Sequence, residues 1–217
     1  MEQRTRSSSC IGIVGLGLIG GSLGLDLQKL GWEVIGLAHR PITVQKAKER
    51  GLAHLISTNP EILAKCKVVI LALPLEKLLN PNPNLIKALP KDAVITDVGS
   101  VKQPILETWQ KLHPRFVASH PMAGSTQAGV ESGRHGLFKN RPWVATPTKE
   151  TNLQALETIK KLALSLGSQW LTAEALMHDQ AVALISHLPV IVSAALLRTL
   201  DKEKNHNVHE LAIKLAS

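Results

Sequence analysis

The chain is poor in the residues that would place it in several large functional classes. Two cysteines, Cys10 and Cys66, among 217 residues cannot build a disulfide framework, so a reducing cytoplasm is the default compartment. Aromatic side chains make up only 3%. The positive charges are scattered, so no stacking platform for nucleic acid is visible and that partner is set aside. The longest uninterrupted apolar run late in the chain is shorter than the ~20 residues of a membrane span, so no membrane is expected. There is no Walker pattern, no internal repeat and no nucleophile with a base beside it. His206 and His209 stand at i, i+3 without a carboxylate or cysteine set, so they read as a solvated polar face and no metal site is expected. What remains is a chain that is 44% hydrophobic with a net charge of +8. Such a chain builds a globular core and attracts anionic small molecules, for example a phosphorylated cofactor and a carboxylated substrate.

What is present centres on Cys10–Ser22. Arg4 and Arg6 ahead of this apolar stretch superficially resemble a secretory signal, but the stretch is too rich in glycine for a hydrophobic helix, and no small-x-small cleavage site follows. The run Cys10 to Val14 reads instead as a buried parallel strand that enters Gly15-x-Gly17-x-x-Gly20 and then a helix ending near Leu30. That is the order of a dinucleotide-binding turn. Gly15 permits the tight turn, Gly17 removes the Cβ that would block a pyrophosphate, and Gly20 lets helix and strand pack closely. The amides of Leu18 and Ile19 point at the phosphates from the positive end of the helix. A second strand, Glu33 to Ala38, ends in His39-Arg40. An acidic residue about twenty positions after the glycines would bind the ribose 2′-hydroxyl of NAD, whereas a guanidinium there fits a 2′-phosphate, so NADP is the expected cofactor.

Strands and helices then alternate. Thr43 to Arg50 reads as a helix, Leu52 to Ser57 as a strand, Pro60 to Cys66 as a short helix and Lys67 to Leu73 as a buried strand. Pro74, at its end, lies where the adenosine half of a cofactor passes. The helix from Leu75 is expected to bulge into a surface loop at Asn80–Asn84 before resuming over Leu85 to Leu89. Ala93 to Val98 and Phe116 to Ser119 read as further strands, with a helix between them to about Leu112. Trp143 to Thr146 and Ser168 to Thr172 follow as strands around the helix Asn152 to Leu166. Ser125 to Arg141 reads as loop with a short helix. The pattern predicts an α/β fold, a doubly wound parallel sheet, with Gly15, His39, Pro74, Ser100 and His120 gathered at strand ends along one edge. Glu174 to Leu200 reads as one long helix, kinked at Pro189 and buried on several sides.

His120 is the candidate for chemistry, because an imidazole titrates near neutrality and can take a proton from an alcohol as hydride leaves its carbon. His113 precedes a proline without such a placement and reads as structural.

The glycine turn, Asp97-Val-Gly-Ser-Val-Lys102, Ser119-His-Pro-Met-Ala-Gly124 and Asp179-Gln180 with Ser186-His-Leu-Pro189 occur in the order found in the prephenate/arogenate dehydrogenase family, and the resemblance covers nearly the whole chain. His39-Arg40 makes it look most similar to the NADP-dependent arogenate dehydrogenases. The resemblance implies a Rossmann-like domain over residues 1–173 and the start of an all-α dimerisation domain over 174–217. It also implies an oxidative decarboxylation of arogenate or prephenate in tyrosine biosynthesis, with NADP as hydride acceptor. By the same resemblance His120 is the catalytic base, Ser100 orients the hydroxyl and the histidine, and His187 lines the substrate side. A homodimer is expected where the helical domain is complete. Family chains continue past the position of Ser217 through an arginine-bearing segment, so the chain is expected to be truncated within its second domain. Two other readings are weighed: a β-hydroxyacid-type dehydrogenase, whose lysine motif has no counterpart here, and a non-catalytic NADP-binding remnant.

Overall fold

The computed structural model describes residues 10–215; the polar stretch before Cys10, read from sequence as frayed, lies outside the described residues. The strands β1 (Cys10–Val14), β2 (Glu33–Leu37), β3 (Leu55–Ser57), β4 (Val68–Leu71), β5 (Val94–Asp97) and β6 (Phe116–Val117) form one sheet in the order β3-β2-β1-β4-β5-β6, parallel throughout. This is the doubly wound Rossmann-like order, with its switch point beside β1. Every residue of β1 is buried. Ile11 and Ile13 pack into the apolar cluster on one face, Cys10 and Val14 into the cluster on the other. Burial on both faces is why the strand reads as a continuous apolar run rather than an alternating one. The two thiols lie together at the foot of this sheet, Cys10 Sγ 3.3 Å from Cys66 Sγ, both free and buried. Burial pushes both above the ordinary thiol range, so they pack as small apolar groups.

The covering helices in this part of the chain are α1 (Leu18–Lys29), α2 (Pro41–Glu49), a 3₁₀ turn over Pro60–Lys65, α3 (Leu75–Leu79), α4 (Pro83–Ala88) and α5 (Gln103–Trp109). The break expected at Asn80–Asn84 is real but tighter than a bulging loop. Asn82 Oδ1 accepts the amide of Asn84 at 2.8 Å and Pro83 opens α4, so the Asn-Pro pair is a cap and a helix start. His113 is buried, with Nε2 3.1 Å from the Pro90 carbonyl and Nδ1 accepting the Arg115 amide, and burial holds its pKa below the ordinary value.

One expectation is corrected here. The strand read over Phe116–Ser119 splits, and the later strands do not extend the main sheet. β7 (Ser119–Pro121), β8 (Pro142–Ala145) and β9 (Gln169–Thr172) form a second, three-stranded sheet in which β7 is antiparallel to β8 and β8 is parallel to β9. The cause is local to Asp97, the last residue of β5. Its Oδ1 accepts the Ser119 amide at 3.1 Å, so the side chain captures the donor that a longer β5–β6 ladder would have used. The backbone beyond Ala118 then pairs with β8 instead. Helix α6 (Leu153–Ser165), capped by Asn152 Oδ1 on the Ala155 amide at 2.9 Å, buries Ile159, Leu162 and Ala163 in the first apolar cluster.

The chain divides into two compact units, residues 1–178 and 179–217. The helical segments α7 (Ala175–Val182), a π-helical turn over Ala183–His187, α8 (Leu188–Asp201) and α9 (His206–Leu215) close the sequence. The expected distortion at Pro189 takes the form of that π turn. A proline lacks an N–H and its ring crowds the carbonyl four residues back, which a wider turn accommodates. Leu184, Ile185, Val190, Ile191 and Leu196 are exposed in this single chain, so the burial expected of this helix is not supplied within it. Ala175–Asp201 is also long and apolar enough to cross a membrane by length and composition. Counting only uninterrupted apolar residues missed this, because polar residues such as Gln180 and His187 divide the run.

Candidate active site

A cavity of about 690 Å³ opens at the carboxyl ends of β1, β2, β4 and β5. Gly15, Gly17, Leu18, Ile19, Gly20, His39, Arg40 and Pro74 all line it, together with Ser100 and His120. The structure therefore brings together ten of the eleven residues singled out from sequence. The eleventh, His187, lies exposed on the π turn of the second unit.

The glycine turn separates into positions that the protein requires and one that it does not. Gly15 has φ +93°, and a Cβ there would stand 2.3 Å from the Ala72 carbonyl oxygen; a Cβ on Gly20 would stand 1.9 Å from the Gly15 carbonyl oxygen. Both distances are impossible, so strand and helix can approach this closely only through glycine. At Gly17 a Cβ would meet nothing within 4 Å, and the backbone there is extended with φ −78°. Nothing in the protein forbids a side chain at that position. What a side chain would obstruct is the cavity mouth, at an α1 N-terminus with no side-chain cap and no acidic residue in its first turn. Such a terminus presents unpaired N–H groups and positive potential to an anion, and so fits the pyrophosphate of a dinucleotide. Gly17→Ala is accordingly expected to leave the thermal midpoint within about 2 °C while weakening dinucleotide binding at least ~10-fold, read by melting and by cofactor titration. A variant that binds as tightly as the parent would remove the phosphate assignment from this turn.

At the end of β2, Arg40 is the N-cap of α2 and donates from Nε to His39 Nε2 at 2.8 Å. The bond has the His39 ring nitrogen as acceptor and ties the guanidinium to that ring. No acidic residue occupies the first turn of α2, and Thr43 lines the same wall. This corner is a cationic cradle.

Beside the Ser100 and His120 part of the cavity lies a buried ion pair. Asp97 and Lys102 are both fully buried. Lys102 Nζ donates to Asp97 Oδ2 and, at 2.8 Å, to the Ser119 carbonyl. Asp97 also accepts the amides of Gly99 and Ser119, at 2.8 and 3.1 Å. Burial pushes the Asp97 carboxyl above the ordinary range, opposed by the Lys102 charge and the two amides. The Ser119 hydroxyl takes part as well, donating to the Asp97 carbonyl and accepting the Trp143 Nε1–H, each at 3.0 Å. Both backbone groups of Ser119 are thereby fixed, one residue before His120. The ring of His120, only 8% exposed, reaches the cavity, and its Nδ1 lies 3.0 Å from Nε2 of His178, which is 4% exposed.

Reasoning from sequence missed His178, the Asp97–Lys102 pair and the Gln127–Val130 segment of the wall. That segment is strapped to α2 through Arg50, whose Nη1 and Nη2 donate to the Val130 and Gly133 carbonyls, and through Lys46 with Glu131 at 2.9 Å. A lysine two residues past Ser100 in an otherwise uncharged turn was the readable sign of the ion pair. His178 had no local sign beyond its place before Asp179.

The sequence matches the family described as prephenate dehydrogenase, nucleotide-binding domain, over residues 23–171, and prephenate dehydrogenase, dimerization domain, over residues 174–217. The glycine turn lies just ahead of the first match. A prephenate dehydrogenase of Bacillus subtilis is 32% identical over 203 residues, 89% of this chain and 54% of that protein. The chain thus spans about half the length of that curated relative. Among solved structures, arogenate dehydrogenase from Synechocystis superposes with a TM-score of 0.82 at 39% identity, covering 96% of this chain and 75% of that one. Prephenate dehydrogenase from A. aeolicus, solved with hydroxyphenyl propionate and NAD+, gives 0.86 at 28% identity over 94% of this chain and 73% of that one. Hydroxybutyryl-CoA dehydrogenase from Ralstonia eutropha, at 15% identity and a TM-score of 0.58, shares the fold alone.

Proposed function

The chain belongs to the prephenate dehydrogenase family, and from that premise we propose that it serves the oxidative decarboxylation of a cyclohexadienol, arogenate or prephenate, with NADP. The observation that carries the reading is one cavity lined by the glycine turn, Arg40, Ser100 and His120. We assign residues 1–173 to cofactor binding and 174–217 to a helical domain through which two copies pair. The exposed apolar residues of α8 support that pairing. Two buried free thiols support a reducing, cytoplasmic setting.

When bound, NADP supplies the acceptor for a hydride from the ring carbon that bears the hydroxyl. His120 takes the hydroxyl proton as the carbon–oxygen double bond forms. Ser100, on the same wall, orients the hydroxyl toward the imidazole. The ring carboxylate is then β to a vinylogous carbonyl. It leaves as carbon dioxide, its bonding electron pair passes through the ring to the carbonyl oxygen, and the phenolate so formed takes back the proton held on His120 to give the phenol. Buried walls around His120 keep bulk water from the proton being transferred.

Arg40, with Thr43 and the N-terminus of α2, holds the 2′-phosphate, and the His39 bond tethers the guanidinium. The test is turnover of arogenate and prephenate with NADP and with NAD, for the parent and for Arg40→Ala. The variant is expected to lose about 10–100-fold in kcat/KM with NADP and to change less than about threefold with NAD, since only the charge-assisted contact is removed. Equal losses with both cofactors would remove the specificity assignment. Absence of turnover with either acid by the parent chain would remove the catalytic one.

A further inference from the structure

His120 and His178 meet ring to ring, Nδ1 to Nε2 at 3.0 Å, with centroids 5.2 Å apart and planes at 80°. Both belong to the first compact unit and both are buried, so bulk water does not compete for the bond. One of the two nitrogens must donate. If His178 were the donor, His120 would carry its own proton on Nε2 when neutral, and gaining a second proton on Nδ1 would set two N–H groups against each other. If His120 is the donor, Nδ1–H points at His178 Nε2 both before and after Nε2 gains a proton. Only the second arrangement is the same on both sides of a proton transfer.

We propose that His178 is a positioning residue that holds His120 in the Nδ1–H tautomer, so that Nε2 is the proton-accepting atom. The inference rests on the reading of His120 as the base, and adds the group that gives that base its tautomer and its ring orientation. A neutral imidazole here does for His120 what a carboxylate does for the histidine of a hydrolase triad, without placing a further negative charge in a pocket meant for an anionic substrate. The site is consequently defined by a residue 58 positions beyond the base, at the start of the terminal helical segment.

The tautomer is read directly from the ¹⁵N shifts of the histidine rings, with His120 assigned by His120→Asn. His120 is expected as Nδ1–H in the parent, moving toward Nε2–H in His178→Leu and staying as in the parent in His178→Gln, whose amide oxygen can still accept. In turnover, His178→Leu should lose about 10–100-fold in kcat with KM values within ~3-fold, and His178→Gln should recover most of it. In a His120→Asn background, His178→Leu should cost nothing further, which a merely structural role would not predict. Nε2–H in the parent, or losses at the two positions that multiply, would overturn the proposal. If His178→Leu does not fold, the parent tautomer and His178→Gln still decide it. Because the tautomer is read without turnover, a parent that turns over neither acid would overturn the catalytic reading and not this geometry.

Discussion

Replacing His120 with asparagine is expected to lower kcat by about 10²–10⁴-fold while leaving the dinucleotide Kd within ~3-fold of the parent. The amide keeps a polar group near the position of Nδ1, so the contact with His178 and the pairing of β7 with β8 need not change. What is lost is the ability to accept a proton. An alcohol that gives up hydride while keeping its proton becomes a protonated ketone, and that charge then sits in a buried pocket with no base to relieve it. The asparagine side chain can still orient the hydroxyl, so substrate KM should move far less than kcat. The measurement pairs steady-state reduction of the nicotinamide with an independent cofactor titration. A loss below about 10-fold would mean that the proton goes elsewhere, and the roles given to His120 and His178 would fall together.

The parts of this site that were legible in the sequence are those fixed by contacts close along the chain. Gly15-x-Gly17-x-x-Gly20 states its own geometry, because a turn with φ +93° and a helix packed within 2 Å of a carbonyl oxygen as seen from a missing Cβ admit nothing but glycine. Arg40 was legible for the same reason, three residues past the end of β2 and the cap of the next helix. His120 was placed at the correct edge but in the wrong sheet. The choice between lengthening β6 and founding a second sheet is made by the Asp97 carboxylate 22 residues earlier, through the Ser119 amide. The burial of Lys102 went unread despite its place in an otherwise uncharged turn, because a lysine is solvated by default and only the buried partner reverses that. His178 was one of nine histidines, distinguished by a contact that exists only after folding.

The same ion pair yields the largest expected effect on stability. Lys102→Met removes a cation that is wholly buried and leaves the Asp97 carboxylate with two amide donors in an apolar surrounding. Stranding one member of a buried pair costs about 3–5 kcal/mol, which for a chain of this size lowers the thermal midpoint by roughly 6–20 °C. The Ser119 carbonyl also loses its donor, so the strand that carries His120 should loosen and kcat should fall with stability. The pH dependence separates this from simple loss of packing. Burial already raises the Asp97 carboxyl, and without Lys102 nothing but the two amides opposes it. A carboxyl with a folded pKa above its unfolded value of about 3.9 holds its proton more tightly when folded, so its destabilising effect grows as pH rises above that value and saturates above the folded pKa. The deficit of Lys102→Met against the parent should therefore shrink as pH is lowered from 8 toward 5. Asp97→Asn combined with Lys102→Met should be more stable than Lys102→Met alone at pH 8, since the stranded charge is gone. Denaturant melts of the parent and both variants across that range decide the matter. A deficit that is independent of pH would mean that Lys102 contributes its methylenes and not its charge.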